Sequence, residues 1–139
     1  VVAVQEVAEE EVSRYGIISP GSEIERGLFN ITTLLEKPAR NNAPSRLAIM
    51  GRYVLRPEIF CILENLSPGA GGEIQLTDGL RVLNRSQAIL GYSFQGKRYD
   101  VGDKLGFIQA NVEFALKRKE LKEDFINYLQ SLAEQQYQL

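Results

Sequence analysis

Apolar and polar positions alternate in short blocks through the first hundred residues, then settle into helical spacing in the last third. Val1-Val2-Ala3-Val4 reads as a buried strand. Glu9 to Tyr15 is charged and short enough for one helical turn, with Gly16 placed to cap it. Ile17-Ile18 and Leu28 to Leu35 read as two strands joined by the polar loop Ser19 to Gly27. Pro38 to Arg46, with its two prolines and two asparagines, is a loop. Leu47 to Leu55 returns to a strand pattern, in which Gly51 marks a bulge or a close backbone approach.

Pro57 suits the first turn of a helix running to about Glu64. Ser67 to Gly72 is a glycine-rich loop. Glu73 to Asn84 follows as a helix, because Ile74, Leu76, Leu80 and Leu83 fall near helical spacing. Ile89 to Phe94 and Lys97 to Val101 flank Gln95-Gly96 in the manner of a β-hairpin. Two helices close the chain, Asp103 to about Lys119 and Glu120 to about Gln136. Their apolar stripes are Leu105, Ile108, Val112 and Leu116, then Leu121, Phe125, Leu129 and Leu132. Irregular alternation of strands and helices predicts a mixed α/β sheet carried by residues 1–102, with helices over 103–139.

Composition narrows this picture. The chain has 139 residues, about one domain by length, and 44% of them are hydrophobic, an ordinary globular mixture. A strand pattern that starts at Val1 reads as a piece of something longer. Net charge is −2 with both signs mixed along the chain, so no basic stripe marks nucleic acid. Any phosphate specificity must come from a few placed residues. The absence of histidine excludes histidine triads and histidine metal sites. Cys61 is the single cysteine, which favours a cytosolic setting and a structural role inside its apolar run. No stretch approaches the roughly 18–20 apolar residues of a membrane span.

Candidate chemistry concentrates in four places. Glu36-Lys37 pairs a carboxylate, which accepts from sugar hydroxyls, with an ammonium, which holds phosphate. Neighbours on a strand point to opposite faces, so both serve one ligand only if the chain turns there. Pro38 biases Lys37 to an extended conformation and ends the strand, which allows such a turn. Two solvated charges at a strand end remain the plainer reading. Gly16, after Arg14-Tyr15, either caps a helix or lets a ligand approach the main chain. The loop and helix start from Pro68 to Asp78 lacks the Gly-Lys-Ser/Thr of a P-loop. In the fourth place, Asp103 suits a helix N-cap, and Asp100 sits at a predicted strand end where a hard cation could bind.

Taken together, these segments resemble the C-terminal half of bacterial UTP–glucose-1-phosphate uridylyltransferases (UDP-glucose pyrophosphorylases). The resemblance rests on Val12-Ser13-Arg14-Tyr15-Gly16, Leu35-Glu36-Lys37-Pro38, Ala43-Pro44-Ser45, and the strand Leu47-Ala48-Ile49-Met50-Gly51-Arg52-Tyr53-Val54-Leu55. It continues through Pro68 to Asp78 and Tyr99-Asp100-Val101-Gly102-Asp103-Lys104-Leu105-Gly106, in family order across nearly the whole chain.

The resemblance implies the C-terminal part of a nucleotidyltransferase Rossmann-like α/β mixed sheet, with hairpins, two C-terminal helices and a homo-oligomeric assembly. It implies synthesis of UDP-glucose and pyrophosphate from UTP and glucose 1-phosphate with Mg2+. Glu36 would accept from glucose hydroxyls, and Lys37 would hold the sugar phosphate as the catalytic cation. The main chain at Gly16 and Ile49 would line the sugar pocket, and Asp100 would be the second of two magnesium aspartates. The family's glycine-rich nucleotide loop and first metal aspartate have no counterpart between Val1 and Leu139, so the chain alone is expected to be inactive. A thymidylyltransferase on the same sugar phosphate and a non-catalytic oligomerisation module are the alternatives.

Overall fold

The computed structural model describes residues 1–136, so the last three residues of the expected 103–139 helical part lie outside the described residues. Two compact units are present, Val1–Gln95 and Gly96–Leu139. The division falls ahead of the Gly102 boundary read from sequence.

The first unit is a mixed sheet carrying two helices. Its strands are β1 (Val2–Glu6), β2 (Gly16–Glu25), β3 (Leu28–Glu36), β4 (Leu47–Tyr53) and β5 (Leu90–Ser93). β1 pairs antiparallel with β4 and parallel with β5. β2 pairs antiparallel with β3 and with β4, and β3 antiparallel with β5. β2 and β3 form a long hairpin, because the expected loop Ser19 to Gly27 continues the ladder through several register shifts and turns only at Gly27. Bulges let a polar sequence with a proline pair without presenting a regular apolar face.

Adjacent Ile17 and Ile18 are both fully buried, which a strand allows only when both faces are covered. Ile18 joins Val2, Val4, Leu34, Ile59, Leu80 and others in the main core. Ile17 packs with Val12 and Ala48 in a smaller cluster. Helices α1 (Glu58–Glu64) and α2 (Leu76–Leu83) supply Ile59, Leu80 and Leu83 to the main core. Asn84 then ties the end of α2 to the sheet, donating to the Ile31 carbonyl at 2.9 Å and accepting from the Ile89 amide at 3.0 Å.

Three local expectations change. α2 starts at Leu76 because Gln75, its N-cap, is extended (ψ 128°), so Glu73 to Gln75 belong to the preceding loop. Cys61 is exposed, since Ile59, Ile62 and Leu63 use the core-facing side of α1 and Cys61 lies off that side. The glycine-rich loop closes in a tight turn over Ala70–Gly72, in which Gly71 and Gly72 take left-handed backbones.

The second unit contains helices α3 (Lys104–Lys117) and α4 (Lys119–Gln136), which pack on each other. The expected hairpin across Gln95-Gly96 is absent: Lys97 to Val101 forms no strand. That segment is held by side chains, with Lys97 and Tyr99 both engaging Glu113 on α3. Asp103 caps α3, its carboxylate accepting from the Gly106 amide at 2.9 Å. The buried positions of α3 are Gly106 and Ala110, whereas Leu105 and Ile108 of the expected stripe are exposed and Val112 and Leu116 half-buried. Among the described residues, no helix is long and apolar enough to cross a membrane.

Candidate functional site

β2 and β3 end together, so Gly16 faces Glu36 across the ladder. Beyond that pair the backbone turns sharply. Lys37 has φ 40°, the one positive φ among described non-glycine residues, and its amide donates to the Tyr15 carbonyl at 3.1 Å. Lys37 is therefore not extended, as the proline rule suggests. Pro38 disfavours the right-handed region for its predecessor, and the Tyr15 hydrogen bond with the burial of Pro38 pins the left-handed alternative. A left-handed L-residue costs about 1–2 kcal/mol, so the turn is imposed by its surroundings. It removes the strand geometry that would keep Glu36 and Lys37 on opposite faces.

Gly16 marks the centre of the site. A Cβ on it would lie 2.9 Å from Thr77 Oγ1, 3.0 Å from Glu36 Oε2 and 3.1 Å from Ile49 Cδ1. One carboxylate, one hydroxyl and one aliphatic group thus pack onto the main chain at residue 16, closer than any side chain there would allow. Gly16 opens β2 and does not cap the preceding turn, whose C-cap is Tyr15. Ile49 is 7% exposed, and β4 holds it in register opposite Val4 of β1.

Thr77, in the first turn of α2, is a site residue that the sequence reading does not single out. It is the one buried polar side chain among the described residues, at 5% exposure. Its position inside the Gln75-Leu76-Thr77-Asp78 segment, at a helix start between Leu76 and the core residue Leu80, is the sequence signal that points to it.

Glu36 also borders a cleft of about 400 Å3, shared with Pro38, Asn42, Gly69, Asp78 and Arg81. Arg81 pairs with Asp78 at 3.0 Å. Tyr53 stands close enough to feel the site: burial, and then the charge of Glu36, push its phenol above the usual tyrosine range. Ser45 of the Ala43-Pro44-Ser45 segment is a brace. It donates to the Ile18 carbonyl at 2.6 Å and accepts from the Leu47 amide at 2.9 Å, so the loop after Pro38 is fixed on β2.

The structure thus brings Gly16, Glu36 and Ile49 together, with Lys37 exposed next to Glu36 in the chain. Asp100 belongs to the second unit. It sits in a turn, not at a strand end, with Oδ1 accepting from the Gly102 amide at 3.2 Å and Oδ2 3.5 Å from Arg98. Among the described residues, no group of three or more carboxylate or thiol side chains is arranged to hold a metal ion.

A family model described as Nucleotidyl transferase matches residues 1–117. The UTP–glucose-1-phosphate uridylyltransferase of Streptococcus pneumoniae is 51% identical over 134 residues, which are 96% of this chain and 45% of that protein. A solved structure of UDP-glucose pyrophosphorylase complexed with UDP-glucose is 47% identical with a TM-score of 0.79, matching 84% of this chain and 44% of that one. UTP-bound UGPase from Acinetobacter baumannii is 34% identical with a TM-score of 0.80, over 94% of this chain and 45% of that one. The chain spans less than half the length of these relatives. Its mixed sheet and its match to the family model over residues 1–117 are decisive at the family level, and the chain belongs to the nucleotidyl transferase family.

Proposed function

We propose that this chain forms the sugar-phosphate side of a uridylyltransferase that makes UDP-glucose and pyrophosphate from UTP and glucose 1-phosphate. The observation that carries the proposal is the convergence of Glu36, Thr77 and Ile49 on the main chain at Gly16, beside the cleft that Glu36 borders. A carboxylate accepts two or more hydroxyl protons, a threonine hydroxyl both donates and accepts, and an isoleucine covers an apolar sugar face. That set suits a polyol held against a main chain.

In the proposed reaction a phosphate oxygen of glucose 1-phosphate attacks the α-phosphorus of UTP. The bond from that phosphorus to the bridging oxygen breaks, and pyrophosphate departs with the electron pair. No side-chain nucleophile is required, so the work is positioning and charge neutralisation. Glu36 and Thr77 fix the sugar ring. Lys37, turned out of the strand by its left-handed backbone, places an ammonium by the sugar phosphate and offsets charge as the two phosphates approach. Ile49 keeps water from the sugar face.

Magnesium belongs to this reading as the ion that neutralises the triphosphate. The described residues do not by themselves fit it: Asp100 offers one carboxylate, already engaged by Arg98 and the Gly102 amide. Magnesium usually takes one or two carboxylates with substrate phosphates, so Asp100 is proposed as one ligand of a larger donor set. No step above passes through the ion. Assembly as a homo-oligomer is part of the same reading, supported by exposed Leu105, Phe107, Ile108 and Phe114 on α3.

Titration of the chain with glucose 1-phosphate tests the proposal. Binding that falls at least tenfold in Glu36→Gln is the expected result, and no binding to the unsubstituted chain ends the reading. A pure oligomerisation module would self-associate in light scattering and ignore the sugar phosphate. UDP-glucose synthesis is expected to be absent from the 139-residue chain, and kcat/KM for UTP is expected to exceed that for dTTP in a longer protein that carries it.

A further inference from the structure

We infer that Asp78 is a positioning residue for the sugar-phosphate pocket, fixing the glycine loop over residues 69–72 against the cleft that Glu36 borders. The inference rests on the sugar-phosphate reading of the Gly16 site. Thr77 and Asp78 are consecutive in the first turn of α2, so they point about 100° apart around the helix axis. Thr77 faces Gly16 and Glu36. Asp78 faces the loop instead.

Its two carboxylate oxygens have separate partners. Oδ1 is held by Arg81 at 3.0 Å, one turn further along α2, and the Asp78 side chain is only 17% exposed. Oδ2 lies so close to Gly69 that a Cβ there would clash with it. The loop closes on itself at that same point, with the Gly69 amide donating to the Glu73 carbonyl at 2.9 Å and the Gly72 amide to the Gly69 carbonyl at 3.0 Å. Gly71 and Gly72 follow in left-handed conformations with nothing around the positions a Cβ would take.

A loop of glycines in open space has few contacts of its own to select one conformation. Asp78 supplies one: a carboxylate clamped by a guanidinium and pressed on Gly69. Arg81 is 43% exposed, and an ion pair open to water on one side adds little to stability, so the role of the pair is placement. Glu36, Asn42, Gly69, Asp78 and Arg81 border one cleft, so a shift of the loop alters the wall beside the Glu36 carboxylate.

A double-mutant cycle at Gly69 and Asp78 tests this, with glucose 1-phosphate affinity, amide exchange at Gly69 and Gly72, and the thermal midpoint read on each variant. Asp78→Ala is expected to weaken binding about tenfold and to speed exchange at both amides, with the midpoint little changed. Asp78→Asn keeps the shape and the acceptor for Arg81, and is expected to bind within about threefold of the unsubstituted chain. Gly69→Ala alone is expected to weaken binding as Asp78→Ala does, and to add no further loss in the Asp78→Ala background. Binding unchanged by Asp78→Ala, or losses that multiply in the double variant, overturn the inference while the sugar reading stands. Absence of binding to the unsubstituted chain overturns that reading, and the inference with it.

Discussion

The Lys37 amide donates to the Tyr15 carbonyl at 3.1 Å, and that bond holds Lys37 at φ 40° immediately before a buried proline. Strain of this kind persists where the surroundings over-determine it, and it concentrates at sites that need a side chain aimed against the run of the chain. Its measurable consequence is an inverted glycine effect. Glycine at position 37 relieves the left-handed cost of about 1–2 kcal/mol and loses about 0.5–1 kcal/mol of unfolded-chain entropy relative to alanine. Lys37→Gly is therefore expected to be more stable than Lys37→Ala by roughly 0.5–1 kcal/mol in urea unfolding. An alanine variant as stable as the glycine one would show that the backbone there is not strained. Both variants are expected to lose glucose 1-phosphate affinity, since both lack the ammonium.

Gly16 offers a sharper probe, because its neighbours belong to three different elements. A methyl group there meets Thr77 Oγ1, Glu36 Oε2 and Ile49 Cδ1, all within 3.1 Å of its carbon. Overpacking of this kind typically costs about 1–3 kcal/mol. Gly16→Ala is expected to lower stability within that range and to weaken glucose 1-phosphate binding by more than tenfold. The affinity loss is the informative part: a site whose ligand sat elsewhere would register the stability change and leave the titration unaltered.

The sequence made Glu36-Lys37-Pro38 visible as a chemical pair and Gly16 as a close approach, because residue type alone carries those meanings. Pro38 also allowed a turn there; what the sequence could not carry was the left-handed backbone at Lys37, where a hydrogen bond to Tyr15, distant in sequence, overrides the local preference for an extended residue. Thr77 escaped for a related reason. Threonine in a helix start reads as ordinary local structure, and only packing of α2 on β3 brings it to Gly16. The false hairpin at Gln95-Gly96 arose because a turn dipeptide between apolar runs scores well locally. Lys97 and Tyr99 instead find a better partner in Glu113. The strands and helices with buried, periodic residues were readable; positions decided by one long-range contact were not.

Asp103 bears on the second unit alone. Its carboxylate accepts from the Gly106 amide at 2.9 Å and satisfies one of the free donors at the start of α3. Asp103→Ala is expected to cost about 1 kcal/mol, with Asp103→Ser or Asp103→Asn recovering most of it. Thermal unfolding followed by circular dichroism measures this. An alanine variant equal to the unsubstituted chain would show that the cap is redundant with the packing of α3 on α4.

Tyr99 and Glu113 give the unit a pH signature with a defined sign. The Tyr99 phenol donates to Glu113, and that hydrogen bond first, then desolvation and the carboxylate charge, push it up to about 12. Glu113 moves the other way, held low chiefly by its hydrogen bond from Lys97 and then by that from Tyr99. For Tyr99 the folded value lies above an unfolded value of about 10. Its contribution is therefore complete below about pH 10 and is lost as pH rises towards about 12. For Glu113 the folded value lies below the unfolded one, so its contribution is present above about pH 4.3 and is lost as pH falls through the folded value. The segment from Lys97 to Tyr99 is thus expected to loosen from α3 at both extremes and to stay docked between them. Ultraviolet difference absorbance of the phenolate is expected to show Tyr99 titrating late, alongside the raised Tyr53, and Glu113→Gln is expected to return Tyr99 alone towards about 10. A Tyr99 phenol that titrates at about 10 would mean that its contact with Glu113 does not hold in solution.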